Sequence, residues 1–196
     1  DPLTELYNRR NFQVEFEKIL TLAERYNHQT SLLFLDLDHF KLINDSSGHQ
    51  AGDALLQMVA KKLRSITRSS DLLARLGGDE FAIVIPEAGI QEAKQFADKV
   101  LDELKQVSIP LKGSDYRIST SIGIVTYPEH GSNFQELLSN ADLAMYQAKE
   151  EGRNRWHIFL DSEQAREQLS AKVTWKDRIE RALAEKRLTL HFQPIM

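Results

Sequence analysis

Asp79 and Glu80 directly follow the pair Gly77-Gly78, between two apolar runs, Leu72-Leu73-Ala74 and Phe81-Ala82-Ile83-Val84-Ile85. Adjacent glycines between β-type runs predict a hairpin whose turn needs positive φ. Carboxylates at the start of the second strand of such a hairpin suit a divalent cation that also holds a phosphate. A second acidic pair, Asp36 and Asp38, closes another short apolar run, 31–37. Taken alone, Gly-Gly-Asp is ordinary hairpin chemistry. The question is whether the fold brings the two pairs together.

The intervening elements say that it does. Residues 3–26 place Leu6, Phe12, Phe16, Ile19, Leu20 and Ala23 mostly at helical spacing. The run 31–37 is almost wholly apolar and predicts a buried central strand. Leu55, Val59, Leu63 and Ile66 share one face of a helix over 51–67. The hairpin follows at 72–85, then a second amphipathic helix over 90–105. Residues 116–124 alternate, which predicts a half-buried strand. A third helix spans 134–150, with Gly152 as its stop signal, and 156–160 is a short last strand. The central order is β-α-β-β-α-β, the split βαβ arrangement. A right-handed crossover leaves the first two strands parallel with a gap between them. A third strand filling that gap runs antiparallel to both, so Asp79 and Glu80 meet Asp36 and Asp38. Carboxylates so crowded disfavour one another unless cations neutralise them, and an open metal site is the economical reading.

Composition narrows the class. The chain has 196 residues, 41% hydrophobic and 28% charged, enough for one full domain and a fragment of another. A net charge of −4 offers no basic field for nucleic acid. The absence of cysteine excludes disulfides and thiolate chemistry, and fits a cytoplasmic setting. No apolar run has the length of a membrane span. The chain opens inside a pattern, Asp1-Pro2-Leu3-Thr4, and is expected to be part of something longer.

Several motifs in order resemble a known family. They are Asp1-Pro2-Leu3-Thr4 with Asn8-Arg9-Arg10, then Asp36-Leu37-Asp38-His39-Phe40-Lys41, Asn44-Asp45-Ser46-Ser47-Gly48-His49 and Gly52-Asp53. Gly77-Gly78-Asp79-Glu80-Phe81 follows, and Ala141-Asp142 with Ala148 through Asn154 completes the set. Over residues 1–160 the chain resembles a GGDEF domain, the diguanylate cyclase family. The resemblance implies an α+β, palm-like nucleotidyl-cyclase fold with a central, mostly antiparallel sheet flanked by helices. It implies condensation of two GTP to cyclic di-GMP and pyrophosphate across a homodimer, with the isolated domain monomeric.

The same resemblance implies roles. Two Mg²⁺ (or Mn²⁺) ions per active site would be held by Asp36, Asp79, the Leu37 carbonyl and Glu80. Asp79 would act as general base, with Glu80 assisting and Lys41 stabilising charge over the phosphates. Asn44 and Asp53 would read guanine, with His49 lining the same pocket. The amides of His39 and Phe40 would cradle the terminal phosphates, and Lys149 and Arg153, four apart on one helix face, would reach the same anion. Taken alone, without the resemblance, Asp38 only orients its neighbours. Arg68-Ser69-Ser70-Asp71 matches the family's RxxD product-inhibition motif, so Arg68 and Asp71 would bind cyclic di-GMP. At the other end, 161–187 is expected as a joining helix. Residues 188–196, with Phe192-Gln193-Pro194-Ile195, resemble the first strand of an EAL phosphodiesterase domain, whose catalytic residues this chain lacks. The competing reading is a catalytically silent GTP-binding module that regulates such a phosphodiesterase. A pure cyclic di-GMP receptor ranks below both.

Overall fold

Strand β1 (Thr30–Leu37) is the middle of the molecule: seven of its eight residues are buried, and it has a strand on each side. In the computed structural model, which describes residues 1–111 and 114–160, residues Asp1–Phe159 form one compact unit. Its elements are α1 (Arg9–Tyr26), β1, α2 (Phe40–Ser47), α3 (His49–Ile66), β2 (Leu72–Gly77), β3 (Glu80–Pro86) and α4 (Ile90–Leu104). A ribbon, β4 (Ser108–Leu111) and β5 (Ser114–Arg117), precedes β6 (Thr120–Tyr127), α5 (Phe134–Glu150) and β7 (Trp156–Ile158). The main sheet runs β2-β3-β1-β6-β7. All its pairings are antiparallel except β6 with β7. The α+β class, the central mostly antiparallel sheet and the flanking helices are as expected. β3 fills the gap between β2 and β1, as the split βαβ argument requires.

Alternation along β1 divides the core. Leu33, Leu35 and Leu37 pack with Leu55, Val59 and Leu63 of α3 and with Ala97 and Val100 of α4. On the other side, Phe12 and Phe16 of α1 tilt against each other, centroids 5.6 Å apart, and both meet Phe134 of α5 edge-on, at 6.2 and 6.0 Å. At Gly123 of β6 a Cβ would run into the Ala141 carbonyl of α5, so only glycine lets that helix lie against the strand. This close approach carries the C-terminal turn of α5 over the end of β1.

Four local expectations are corrected, and one helix appears that they did not include. The first helix begins at Arg9, not Leu3, because the Asn8 side chain accepts from Asn11 N at 2.9 Å and caps it. The preceding residues form a turn in which Asp1 accepts from the Thr4 amide and hydroxyl. Tyr7 then pairs with the β2 edge, where Arg75 N donates to Tyr7 O at 2.9 Å. Residues 40–47, whose Asn-Asp-Ser-Ser composition favours turns, are helical because Phe40 and Ile43 are anchored in the core. The alternation over 116–124 spans two elements: β5 pairs with β4, and β6 starts at Thr120. β6 is not half-buried. Helices cover both its faces, and its polar residues bond internally, as Thr120 Oγ1 does to Asp36 O at 2.8 Å. The last strand stops at Ile158. The expected joining helix and truncated EAL strand, 161–187 and 188–196, lie outside the described residues. Among the described residues no helix is long and apolar enough to cross a membrane.

Candidate active site

The β1–β3 register sets Asp36 directly opposite Glu80, and Leu37 N donates to Asp79 O at 3.3 Å. Residues more than forty apart in sequence thus share one sheet end. Gly78 takes the left-handed conformation, φ 52°, and makes the turn. Arg75 holds that turn from behind. Its Nε and Nη2 donate to Gly78 O at 2.9 and 2.8 Å, and its Nη1 reaches both Asp1 oxygens at 3.2 Å. The sequence motifs include Asp1 but give no task to it or to Arg75. A cation two residues before a Gly-Gly turn, with an acid at the chain start, was the available signal.

Electrostatics at this end are strained. Burial, first, pushes the Asp36 carboxyl up from its ordinary value, and Asp79 and Asp38 push it further. The hydrogen bond from Lys149, whose Nζ lies 2.7 Å from Asp36 Oδ1, offsets part of this. Glu80 is raised by burial and then by Asp142, Asp36 and Asp79, against a pull from Arg9. A carboxyl whose folded-state pKa is raised stabilises the fold only below that pKa. The contribution is lost as pH rises through it, so ionising Asp36 and Glu80 opposes folding. Arg9 and Asp142 belong to this environment and were not singled out from the sequence.

These groups fit a hard cation. Asp36, Asp79, Glu80 and the Leu37 carbonyl are all oxygen donors, the class Mg²⁺ and Mn²⁺ take. Among the described residues no three acidic or imidazole side chains converge closely enough to hold a metal alone. That suits an ion completed by water and phosphate oxygens. Asp38 stands apart. It is 2% exposed and accepts from Ser119 Oγ, Ser121 Oγ and Asn154 N, which leaves it an internal acceptor.

Beyond β1 the chain passes through His39, left-handed at φ 60°, into α2. The first amides of a helix have no partner within it and favour anions. His39 and Phe40 supply the backbone at this point, and Lys41 extends from the first turn into solvent. One turn on, Asn44 Oδ1 is buried without a hydrogen-bond partner. It lies against Gly52 of α3, where a Cβ would collide with it. Asp53 follows Gly52 and is exposed, as is His49 at the start of α3. Asn44 and Asp53 are therefore brought to one helix corner.

Lys149 and Arg153 are not on one helix face. α5 ends at Glu150, Gly152 has φ 112°, and Arg153 and Asn154 are left-handed at 61° and 50°. Arg153 lies in the turn after the helix, because Gly152 breaks the repeat that spacing assumed. Arg68 and Asp71 sit together after α3. Asp71 Oδ2 accepts from Arg68 N at 2.7 Å, and Asp71 N donates to Arg68 O at 3.1 Å. They line two surface depressions. One, of about 500 Å³, includes Tyr7, Arg64 and Thr67; the other, of about 300 Å³, includes Glu87, Gln95 and Lys99.

Known proteins share this arrangement. The pattern of the family described as "Diguanylate cyclase, GGDEF domain" matches residues 1–155. The chain is 41% identical over 196 residues to the bifunctional diguanylate cyclase/cyclic di-GMP phosphodiesterase MucR of Pseudomonas aeruginosa, covering 99% of this chain and 28% of that protein. It spans about a quarter of the length of the curated relatives it matches first. A solved N-terminally truncated TpbB (YfiN) from the same species, comprising only the GGDEF domain, superposes with a TM-score of 0.79 at 40% identity, over 87% of this chain and 98% of that one. The GGDEF domain of DgcB from Caulobacter crescentus, solved in complex with c-di-GMP, gives 0.72 at 29% identity, over 83% and 93%. The sequence match over residues 1–155 and the sheet that sets Asp36 against Glu80 agree: this chain belongs to the GGDEF family of diguanylate cyclase domains.

Proposed function

We propose that this domain condenses two GTP molecules into cyclic di-GMP, releasing two pyrophosphates. The observation that carries the reading is the unpaired acceptor of Asn44 beside Asp53. Guanine offers adjacent donors, N1–H and N2–H, to two such acceptors. Adenine has an acceptor at the first position and no amino group at the second, so it would leave them unmet. Asn44 and Asp53 therefore select the base, with His49 at the rim. The 3′-hydroxyl of each GTP attacks the α-phosphate of the other, so two protomers must meet with a two-fold between them.

The remaining residues act on the phosphates. The amides of His39 and Phe40 cradle the terminal phosphates at the N-terminus of α2. Lys41, Lys149 and Arg153 neutralise their charge. Asp36, Asp79, Glu80 and the Leu37 carbonyl would hold two Mg²⁺ or Mn²⁺ ions, which supply charge stabilisation at the attacked phosphate and a lower pKa for the hydroxyl. Asp79 is placed to take the hydroxyl proton.

Asp53→Ala is expected to weaken GTP binding about tenfold, from the roughly 1–3 kcal/mol of an unmet buried hydrogen bond. It should narrow the preference for GTP over ATP, and its exposed position leaves the fold intact. Calorimetry with both nucleotides checks this, and unchanged GTP affinity would remove the guanine pocket.

Arg68 and Asp71 are read as the product-inhibition site. The complex of DgcB with c-di-GMP supports product binding by a domain of this kind, and the match of Arg68 and Asp71 to the RxxD pattern assigns it here. Arg68→Ala removes a planar, charge-assisted donor that lysine does not replace. Cyclic di-GMP should titrate onto the wild-type domain and not onto this variant. Equal binding by both would return the motif to a solvated turn.

A second reading, a silent GTP-binding module regulating an adjoining EAL phosphodiesterase, is favoured by one feature. The base pocket stands on α2 and α3, and the carboxylates on β1 and β3, so GTP can be held without turnover. MucR carries both activities in its name. The purified domain, given GTP and Mg²⁺, decides: chromatographic detection of cyclic di-GMP supports the cyclase, and GTP binding without product supports the module. A cytoplasmic placement goes with either reading.

A further inference from the structure

The Asp36-Leu37-Asp38 stretch looks like a pair of equivalent carboxylates, and the structure separates them. β1 ends at Leu37. Asp36 pairs with Lys149, whereas Asp38 turns inward and is 2% exposed. Its Oδ1 accepts from Ser121 Oγ at 2.8 Å, and its Oδ2 accepts from Ser119 Oγ at 2.8 Å and Asn154 N at 3.1 Å. A buried carboxylate is tolerated when donors satisfy it in this way.

The partner at Asn154 is informative. Gly152, Arg153 and Asn154 have successive positive φ angles of 112°, 61° and 50°. Left-handed backbone is disfavoured for Arg153, less so for asparagine, and free only for glycine. Such a turn persists only where surrounding contacts impose it. Two contacts come from α5 itself: Gly152 N to Lys149 O at 3.3 Å and Arg153 N to Ala148 O at 3.0 Å. The third, at Asn154, comes from Asp38, 116 residues away in sequence. Directly afterwards Arg155 O accepts from Ile122 N at 2.9 Å and the chain enters β7. The end of β1 therefore grips this turn twice. Asp36 holds the Lys149 side chain, and Asp38 holds the backbone beyond Arg153.

We propose that Asp38 is a positioning residue: its buried carboxylate latches the left-handed 152–154 turn to the end of β1 and so sets where Lys149 and Arg153 meet a nucleotide's phosphates. The proposal rests on the reading above that these two cations take phosphate. It assigns Asp38 no metal and no reacting atom. An amide can serve in its place. In Asp38→Asn the side-chain oxygen can accept from Ser119 and from Asn154 N, while the side-chain NH₂ donates to the Ser121 hydroxyl.

The test uses the full chain and two ligands that differ in phosphate number, GMP and a non-hydrolysable GTP analogue, with Mg²⁺ present. Asp38→Ala should weaken the analogue about tenfold, in step with Arg153→Ala, and leave GMP within about twofold. Asp38→Asn should bind both ligands within about twofold of wild type and bind Mn²⁺ as wild type does. A merely structural role would weaken both ligands together and would not move their ratio. Should Asp38→Ala fail to fold, Asp38→Ser replaces it, being too short for Asn154 but able to meet a serine hydroxyl. The latch is overturned if Arg153→Ala raises the analogue-to-GMP ratio of dissociation constants and Asp38→Ala does not. It is also overturned if Asp38→Asn loses the analogue or Mn²⁺, because charge would then matter. If Arg153→Ala leaves the ratio unchanged, the phosphate reading falls and the latch falls with it.

Discussion

For the proposed cyclase, Asp79→Ala is expected to abolish cyclic di-GMP synthesis, with a loss of at least about 10³-fold in kcat/KM, because cation-stabilised charge on a phosphate is worth several kcal/mol. The fold survives the change. Asp79 lies in the turn between β2 and β3, and its backbone carbonyl, which accepts from Leu37 N, is retained. The carboxylate itself pushes up both Asp36 and Glu80, so its removal relieves repulsion. Product formation and thermal unfolding, measured on one preparation, check the two halves separately. Near-normal synthesis would take Asp79 out of the reaction. Loss of activity accompanied by loss of the cooperative unfolding transition would make Asp79 a residue of the fold.

For the proposed cyclase, the initial rate of the isolated domain is expected to rise nearly as the square of its concentration until dimers saturate. One site holds one GTP and the product contains two, so catalysis needs an encounter between protomers. A net charge of −4 steers no such encounter and opposes it mildly. Fusing a parallel dimerising coiled coil ahead of Asp1 converts that encounter into an intramolecular one at about millimolar effective concentration. Activity at low protein concentration should then rise by about 10²-fold or more. A rate strictly linear in concentration, from a species that light scattering shows to be monomeric, would refute the two-protomer reaction for this chain.

The approach of Asp79 and Glu80 to Asp36 was legible before any coordinates, because it follows from topology. Once β3 is placed between β2 and β1, antiparallel pairing leaves no other location for the hairpin. What failed was reasoning from spacing across an element boundary. Asp36 and Asp38 share the parity of a strand, yet the strand ends between them. Lys149 and Arg153 share the period of a helix, yet Gly152 lies between them with φ 112°. The stretch 116–124 kept one alternation across two strands that pair with different partners. α2 has a turn's composition and is helical because Phe40 and Ile43 are buried, a tertiary effect invisible in a local window. The task of Arg75 was hidden for the same reason. One of its partners, Asp1, is 74 residues away.

The central place of β1 also has a consequence in time. Its first ladder closes with β3, and its second only with β6, whose last residue is Tyr127. At a synthesis rate of roughly 5–20 residues per second, Tyr127 is made on the order of ten seconds after Asp36. Loop closure over such separations makes this pairing slow compared with the formation of any single helix. α2 and α3 can form while the chain is still growing. The strand end that carries Asp36 stays open-sided until β6 arrives, and the Lys149 that caps it comes later still. Pairing of β1 with β3 can set Asp36 against Glu80 once Pro86 is made, but that strand end is flanked on both sides only after β6, and Lys149 reaches it last.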